Sequence, residues 1–160
     1  MPLRLAVVST PRSGNTWISR VVAAAAAVPL SAKHTYEEFD APLPAGCVIQ
    51  LHWLPSRDFL DWLAQRDFRV LTIARHPLDV LISAVRFAQF EPDTARWLMG
   101  TTGMPVQLGP DGTASPAFLD YCLSDGAASL LSVTPAWWPL GGTLQVRYET
   151  VVPNPRRQFG

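Results

Sequence analysis

The strongest chemical signal in the chain is residues 9–17, with the sequence Ser-Thr-Pro-Arg-Ser-Gly-Asn-Thr-Trp. This segment lies between an apolar run at residues 3–8 and a helix-like stretch at residues 18–28. A turn from a strand into a helix leaves backbone N–H groups unpaired at the positive end of the helix dipole. Arg12 adds a cation, and Gly14 lets a ligand approach the backbone. The segment predicts a phosphate site; the alternative is an ordinary turn with a polar cap.

The loop matches neither of the two best-known phosphate motifs. The Walker pattern ends in Gly-Lys-Ser or Gly-Lys-Thr, and this loop contains no lysine. The dinucleotide fingerprint needs three glycines, whereas the loop has only Gly14. The loop therefore predicts an anion site without identifying its nucleotide.

A second group that could hold phosphate is formed by Arg75 and Ser83. Arg75 follows a β-type run at residues 69–74, and Ser83 comes about two helical turns later. A guanidinium forks onto phosphate, and serine adds a short hydroxyl donor. The alternative is a surface arginine and a serine that only fills a helix position.

The elements that must position these groups alternate between strands and helices. Apolar runs predict strands at 48–51, 69–74 and 144–148, and helical spacing predicts helices at 56–65, from Pro77 onward, and at 118–131. Ser56 is a plausible N-cap, and residues 100–116 predict a surface excursion. The alternation predicts an α/β fold, a mostly parallel sheet with helices on both faces. Ligands of such sheets bind at the carboxyl ends of strands, where the first loop, His52 and Arg75 all fall.

Composition narrows the possible classes of protein. A length of 160 residues predicts a single domain, and a net charge of zero argues against a non-specific nucleic-acid binder. Only 16% of residues are charged, against about 25% in typical soluble domains. Either a partner, such as a second copy in a homo-oligomer, covers apolar surface, or the composition is biased.

Metal, disulfide and membrane signals are weak. Cys47 and Cys122 are too few and too distant for a zinc site or a disulfide framework, and both predict small buried side chains. The longest apolar run, residues 21–30, is too short for a bilayer, which takes about 20 residues. No signal peptide is visible, so we expect no metal, no membrane contact and a cytoplasmic location.

Taken together, the motifs resemble those of the PAPS-dependent sulfotransferases, where PAPS is 3′-phosphoadenosine 5′-phosphosulfate. The resemblance implies a three-layer fold like that of P-loop NTPases, transfer of a sulfuryl group from PAPS to a small acceptor, and 3′,5′-ADP as product. Four matches occur in order along the chain: the two donor motifs at 10–17 and 75–83, the catalytic-histidine segment at 50–55, and a tryptophan pair at 137–138 that precedes the Arg-Tyr-Glu strand end at 144–149 and Asn154-Pro155.

The first donor motif implies contacts to the 5′ end of PAPS. Gly14, Asn15 and Thr16 would contact the 5′-phosphate through backbone and hydroxyl groups, with Ser13 in the same loop. Arg12 stands where the family usually has lysine, and would stabilise negative charge on the departing bridging oxygen.

The remaining matches imply the other roles. Trp17 would stack on adenine, with Tyr148 nearby, and Arg75 and Ser83 would hold the 3′-phosphate. His52 would be the base that takes the acceptor proton, since a histidine titrates near neutral pH. The alternative for His52 is a strand-end histidine bonded to a backbone carbonyl.

Two features depart from the family pattern. The family's glycine-rich Arg-Lys-Gly loop, which adds contacts to the 3′-phosphate, is not found in these 160 residues; Arg156 and Arg157 lack its glycines. Gln50 stands where a lysine is common. We therefore expect a C-terminally short domain with weakened donor binding.

Two other functions stay open. One is a P-loop kinase or nucleotidase, against which the missing Gly-Lys-Ser/Thr counts. The other is a module that binds 3′,5′-ADP without catalysis, which the missing loop favours. The acceptor cannot be identified, because its pocket would come from the segments after His52 and around residues 87–116.

Overall fold

The computed structural model describes residues 2–39, 42–91 and 115–152. Five strands within these segments form one sheet in the order β2-β3-β1-β4-β5, and every neighbouring pair is parallel. The predicted α/β fold with a parallel sheet is confirmed. The strands are β1 (Arg4–Val8), β2 (Leu30–Ala32), β3 (Cys47–Leu51), β4 (Arg69–Ala74) and β5 (Thr143–Arg147).

Helices connect β1 to β2, β3 to β4 and β4 to β5. The predicted helix at 56–65 is observed one residue shorter, because Ser56 is its N-cap and accepts the backbone N–H of Phe59. Pro77 begins α3 as expected, since its missing N–H costs nothing in a first turn. The helices are α1 (Asn15–Ala25), α2 (Arg57–Gln65), α3 (Pro77–Phe90), α4 (Pro116–Cys122), α5 (Asp125–Leu131), α6 (Val133–Trp137) and α7 (Tyr148–Val151).

Three local predictions differ from the structure. The single helix predicted at 118–131 is wrong, because α4 ends at Cys122 and the Ser124 hydroxyl accepts the Ala127 N–H to start α5. The helix α1 begins at Asn15 rather than at residue 18, because Gly14 takes the left-handed N-cap position. The short edge strand β2 was not predicted, and Tyr148 belongs to α7 rather than to the last strand.

The alternation of side chains along β1 builds two cores. Leu5 and Val7 face α1 on one side of the sheet, in a cluster that also contains Ile18. Ala6 and Val8 face the other side, with Phe59 of α2 and Trp137 of α6 among others. Helices therefore cover both faces of the sheet. A third apolar cluster joins α3, α4 and α5.

Some sequence predictions fall on residues that are not described. Residues 100–114 of the predicted excursion, Asn154-Pro155, and Arg156 and Arg157 lie outside the described segments. None of the helices in the described segments has the length and apolar character needed to cross a membrane.

Candidate functional site

The predicted site residues meet at the carboxyl edge of the sheet. A cavity of about 560 Å³ opens there, beyond the ends of β1, β3 and β4. Ser13 is the one predicted site residue that does not line it. The predicted residues along its wall are Arg12, Gly14, Asn15, Thr16, Trp17, His52, Arg75, Ser83 and Tyr148.

The turn between β1 and α1 exposes backbone N–H groups to this cavity. Arg12 and Gly14 adopt left-handed backbone conformations, with φ of 64° and 103°. The first N–H inside the helix to find its helical carbonyl is that of Ile18, which bonds Gly14 O at 3.0 Å. The preceding N–H groups of α1 therefore have no helix carbonyl to bond and can bind an anion. A Cβ on residue 14 would lie 2.6 Å from Cδ2 of Tyr148, so only glycine fits beneath that ring.

A buried polar network joins this turn to the end of β3. The Ser9 hydroxyl donates to Asn15 Oδ1 at 2.8 Å, and Asn15 Nδ2 lies 3.4 Å from Ser9 O. Nδ1 of His52 lies 2.8 Å from Ser9 O and 2.8 Å from Asn15 Nδ2. With its proton on Nδ1, the ring donates to the Ser9 carbonyl and carries its lone pair on Nε2; with its proton on Nε2, Nδ1 instead accepts from Asn15 Nδ2. The network thus fixes the orientation of the imidazole ring.

The environment of His52 keeps the ring neutral. Burial lowers its pKa below the usual range, and the charges of His34 and Arg12 act in the same direction, while the hydrogen bond to Ser9 opposes them. A neutral histidine at pH 7 can accept a proton from a reacting group.

The two arginines form one network rather than two separate groups. Arg12 Nε donates to Ser83 Oγ at 3.2 Å, and its guanidinium lies 4.3 Å from the centre of the Phe87 ring. Arg75 donates from Nη1 to Arg12 O at 3.2 Å and stacks on Tyr148 at 4.6 Å. The side chain of Arg12 therefore lies along α3, beside the serine that the resemblance assigns to the 3′-phosphate. Burial, and after it the nearby positive charge of Arg75, lower the pKa of Arg12.

The charged side chains that the structure describes in the cavity wall are all positive. Arg12, Lys33 and Arg75 line the cavity, and its described lining includes no Asp or Glu. Among the described residues, the buried Ser13 Oγ and Arg75 Nε find no hydrogen-bond partner. Cations that repel each other, beside unsatisfied donors and without a carboxylate, are suited to a polyanion.

The structure adds residues that the sequence patterns did not identify. Lys33 and His34 follow the short strand β2 and line the cavity, and the Lys33 N–H bonds Gln50 O at 3.3 Å. In the sequence, these two residues are marked only by their position after β2, and that strand is too short to give a clear strand pattern. His76 is exposed, with its backbone N–H bonded to Glu149 at 2.7 Å.

Other groups in the described segments offer no competing chemistry. No cluster of three or more His, Cys, Asp or Glu residues suited to a metal is found there. Trp137 is 1% exposed and packs in the core, where Nε1 donates to Trp53 O at 2.7 Å. Cys47 is buried, as predicted, while Cys122 is only partly so.

Comparison with known proteins shows the fold alone. No family model and no curated protein matches the chain. The crystal structure of mouse sulfotransferase SULT7A1 complexed with PAP is similar, with a TM-score of 0.62 and 14% identity over 98% of this chain. The chain spans 56% of that protein's length.

Two kinases show weaker similarity. They are a provisionally assigned kinase from Chloroflexus aurantiacus (TM-score 0.49, 16% identity, 92% of this chain and 89% of that one) and a gluconokinase from Sinorhizobium meliloti (0.39, 16%, 81% and 94%). The similarity to the mouse sulfotransferase supports an α/β fold of the kind found in that protein.

Proposed function

We propose that this chain is a sulfotransferase that moves a sulfuryl group from PAPS to a hydroxyl or amine of a small acceptor. The observation that carries the proposal is the pair Arg12 and Arg75, held together in a cavity whose described wall has no carboxylate. Two neighbouring cations favour a ligand with several negative charges. A 3′,5′-bisphosphorylated adenosine is such a ligand, because it carries a phosphate at each end. The PAP in the mouse sulfotransferase structure agrees with this ligand class.

The cavity offers a contact for each part of the donor. The N–H groups at the start of α1, with Gly14, Asn15 and Thr16, would hold the 5′-phosphosulfate. Arg75 and Ser83 would hold the 3′-phosphate. The rings of Trp17 and Tyr148 line the same cavity and would take the adenine. The buried Arg75 Nε, which lines the cavity without a hydrogen-bond partner, is a donor that such a ligand can satisfy.

His52 would act as the base. The acceptor oxygen bonds to sulfur as its proton passes to Nε2 of His52. The bond between sulfur and the bridging oxygen of the 5′-phosphate breaks, and its electron pair leaves with 3′,5′-ADP. Positioning and charge stabilisation dominate in such loose, in-line transfers. The N-terminus of α1 would provide positive charge near the leaving group, while the Arg12 guanidinium, which bonds Ser83 Oγ, lies beside the proposed contacts to the 3′-phosphate.

Ligand binding separates this function from a kinase. The fold is compatible with both a sulfotransferase and a kinase. The loop, however, lacks the Gly-Lys-Ser/Thr sequence that kinases of the Walker type use. Calorimetric titration with 3′,5′-ADP, ATP and ADP should give the tightest binding for 3′,5′-ADP. Tighter binding of ATP would replace the proposal by the kinase hypothesis.

Replacement of the base separates an enzyme from a binding module. We expect His52→Ala to reduce transfer of labelled sulfate from PAPS by about 100-fold or more, with the affinity for 3′,5′-ADP retained. His76→Ala is the matched control, since His76 is exposed and does not line the cavity. An equal loss of binding and transfer in His52→Ala would mean that His52 is not the base. If the unmodified protein binds 3′,5′-ADP tightly but transfers no sulfate, the chain is a binding module and not an enzyme.

A further inference from the structure

The ring of Tyr148 contacts both of the turns that face the cavity, the first between β1 and α1 and the second between β4 and α3. A Cβ added to Gly14 would lie 2.6 Å from Cδ2 of Tyr148 and 2.9 Å from Cε2, so the edge of the ring lies against the first turn. The centre of the same ring lies 4.6 Å from the Arg75 guanidinium, which belongs to the second turn. Tyr148 also packs on the apolar cluster that contains Ile18 and Val146. The ring is therefore held by the first turn and the core, and it supports Arg75.

The next residue, Glu149, holds the backbone of the second turn. Its Oε1 accepts the His76 N–H at 2.7 Å. His76 is the N-cap of α3 and directly follows Arg75, so this bond fixes the point at which the Arg75 side chain leaves the backbone. Glu149 is exposed, and neither Glu149 nor His76 lines the cavity. Apart from its charge, Glu149 can therefore affect a ligand in the cavity only through this turn.

The Arg75 guanidinium is held in place and keeps a donor for a ligand. Nη1 donates to Arg12 O at 3.2 Å, and the group lies over the Tyr148 ring. Nε is buried and bonds no residue in the described segments. A guanidinium over an aromatic face is held without a hydrogen bond, so its donors stay available. A side chain that is fixed before the ligand arrives also loses less conformational entropy on binding.

We propose that Tyr148 and Glu149 are positioning residues for Arg75 and that they set the preference for a nucleotide with a 3′-phosphate. The tyrosine ring holds the guanidinium, and the glutamate holds the backbone beneath it. The inference rests on the proposed sulfotransferase function, in which Arg75 contacts the 3′-phosphate. It gives Tyr148 a role beside its contact with the adenine, and it gives a role to Glu149, which lies outside the cavity wall.

The preference for 3′,5′-ADP over 5′-AMP, measured by calorimetry as the ratio of the two dissociation constants, tests the inference. Both nucleotides carry adenine, so the loss of an adenine contact cancels in this ratio. We expect the preference to fall about 5- to 30-fold in Tyr148→Leu, because a desolvated cation–π contact is lost. Glu149→Ala should lower it about threefold or more, because one hydrogen bond is lost. An unchanged preference in either variant would remove that residue from the positioning role.

Conservative variants separate positioning from other roles. Tyr148→Phe keeps the ring and Glu149→Gln keeps an acceptor for the His76 N–H, so both should retain the preference to within about twofold. If Tyr148→Phe loses the preference as Tyr148→Leu does, the hydroxyl and not the ring is responsible, and the inference is wrong. The same holds if Glu149→Gln behaves like Glu149→Ala, since the charge would then be the cause. Because Glu149 is exposed, its variants test the inference even if Tyr148→Leu does not fold.

The NMR signal of the Arg75 Nε–H measures positioning in the free protein. The ring current of Tyr148 shifts this signal, which is assigned by its absence from Arg75→Lys. We expect the shift to be lost in Tyr148→Leu and kept in Tyr148→Phe. That result, with the expected nucleotide preferences, in a protein that transfers no sulfate from PAPS would retain the inference and remove the proposed function. Transfer of sulfate by a protein whose Arg75 signal and nucleotide preference do not change in Tyr148→Leu would keep the function and remove the inference.

Discussion

Two turns from strand to helix face the same cavity, yet they are built in different ways. The turn after β1 is buried: Ser9, Thr10, Ser13 and Asn15 are each at most 3% exposed. The turn after β4 is open, with His76 and Pro77 both exposed. Both follow neighbouring strands of one sheet, so the difference lies in the turns and not in the position of the strands.

The two turns also present different chemistry. The first turn offers the N–H groups at the start of α1, arranged by left-handed backbone at Arg12 and Gly14. The second offers fewer, because Pro77 has no N–H, and it depends on the side chains of Arg75 and Ser83. A backbone site should tolerate changes of side chain but not of backbone conformation. A side-chain site should show the reverse.

The largest effect expected from this contrast is that of Gly14→Ala. A side chain there adopts φ of 103°, and its Cβ meets Tyr148 Cδ2 at 2.6 Å. Backbone strain and displacement of the ring together should lower the free energy of unfolding by about 2–4 kcal/mol. The variant should lose affinity for both 5′-AMP and 3′,5′-ADP. Denaturant unfolding measures the change in stability, and calorimetry measures the change in affinity.

Two other glycines separate strain from clash. Gly142 has φ of 82° with nothing within 4 Å of an added Cβ, so Gly142→Ala introduces backbone strain without a clash. It should lower the free energy of unfolding by about 1–2 kcal/mol. Gly141 has the same open space without the positive φ. Gly141→Ala should therefore change the free energy of unfolding by no more than about 0.5 kcal/mol. Equal stability of the Gly14 and Gly142 variants would mean that contact with Tyr148 does not matter.

The second turn should respond to loss of a side chain. Arg75→Ala removes charge-assisted hydrogen bonds of about 1.5–3 kcal/mol, which corresponds to a 10- to 150-fold loss of affinity for 3′,5′-ADP. The affinity for 5′-AMP, which lacks the 3′-phosphate, should fall far less. Arg69→Ala is the control, because Arg69 is exposed at the opposite end of the same strand. Matched losses for the two nucleotides would remove Arg75 from a 3′-phosphate site.

Local signals explain what the sequence could predict. The strand β4 was predicted with its observed bounds, because a β-type run rich in branched apolar residues before Arg75-His76-Pro77 specifies a buried strand and the start of a helix. The common sheet edge of the first loop, His52 and Arg75 followed from the rule for parallel strands. The cavity brings these residues together as that rule requires.

Contacts between distant residues explain what could not be predicted. The direction of the Arg12 side chain depends on Ser83 and Phe87, which only the folded sheet brings near. The attachment of the first loop to α6 depends on the contact of Thr10 with Thr134, which are 124 positions apart in the chain. The break before α5 was missed for a different reason: Ser124 ended one helix and capped the next within a stretch whose apolar spacing looked continuous.

The smallest expected effect concerns Arg12, the residue that joins the two turns. Burial is the main cause of the lowered pKa of His52, and the charge of Arg12 is the last of the contributing causes. A base must be neutral to act, and a lowered pKa keeps it neutral to lower pH. The acid limb of kcat/KM should therefore lie below the pH of about 6.5 at which an ordinary histidine titrates.

Removal of the Arg12 charge should shift the acid limb of the kcat/KM profile to higher pH. In Arg12→Gln the protonated form of His52 is less disfavoured, so its pKa should rise and the acid limb should shift to higher pH. The shift should be small, because burial and the Ser9 hydrogen bond remain. NMR titration of the His52 ring in the free protein measures it without depending on donor affinity. A wild-type pKa above 6.5, or a downward shift in the variant, would mean that His52 is not the neutral base of the proposed mechanism.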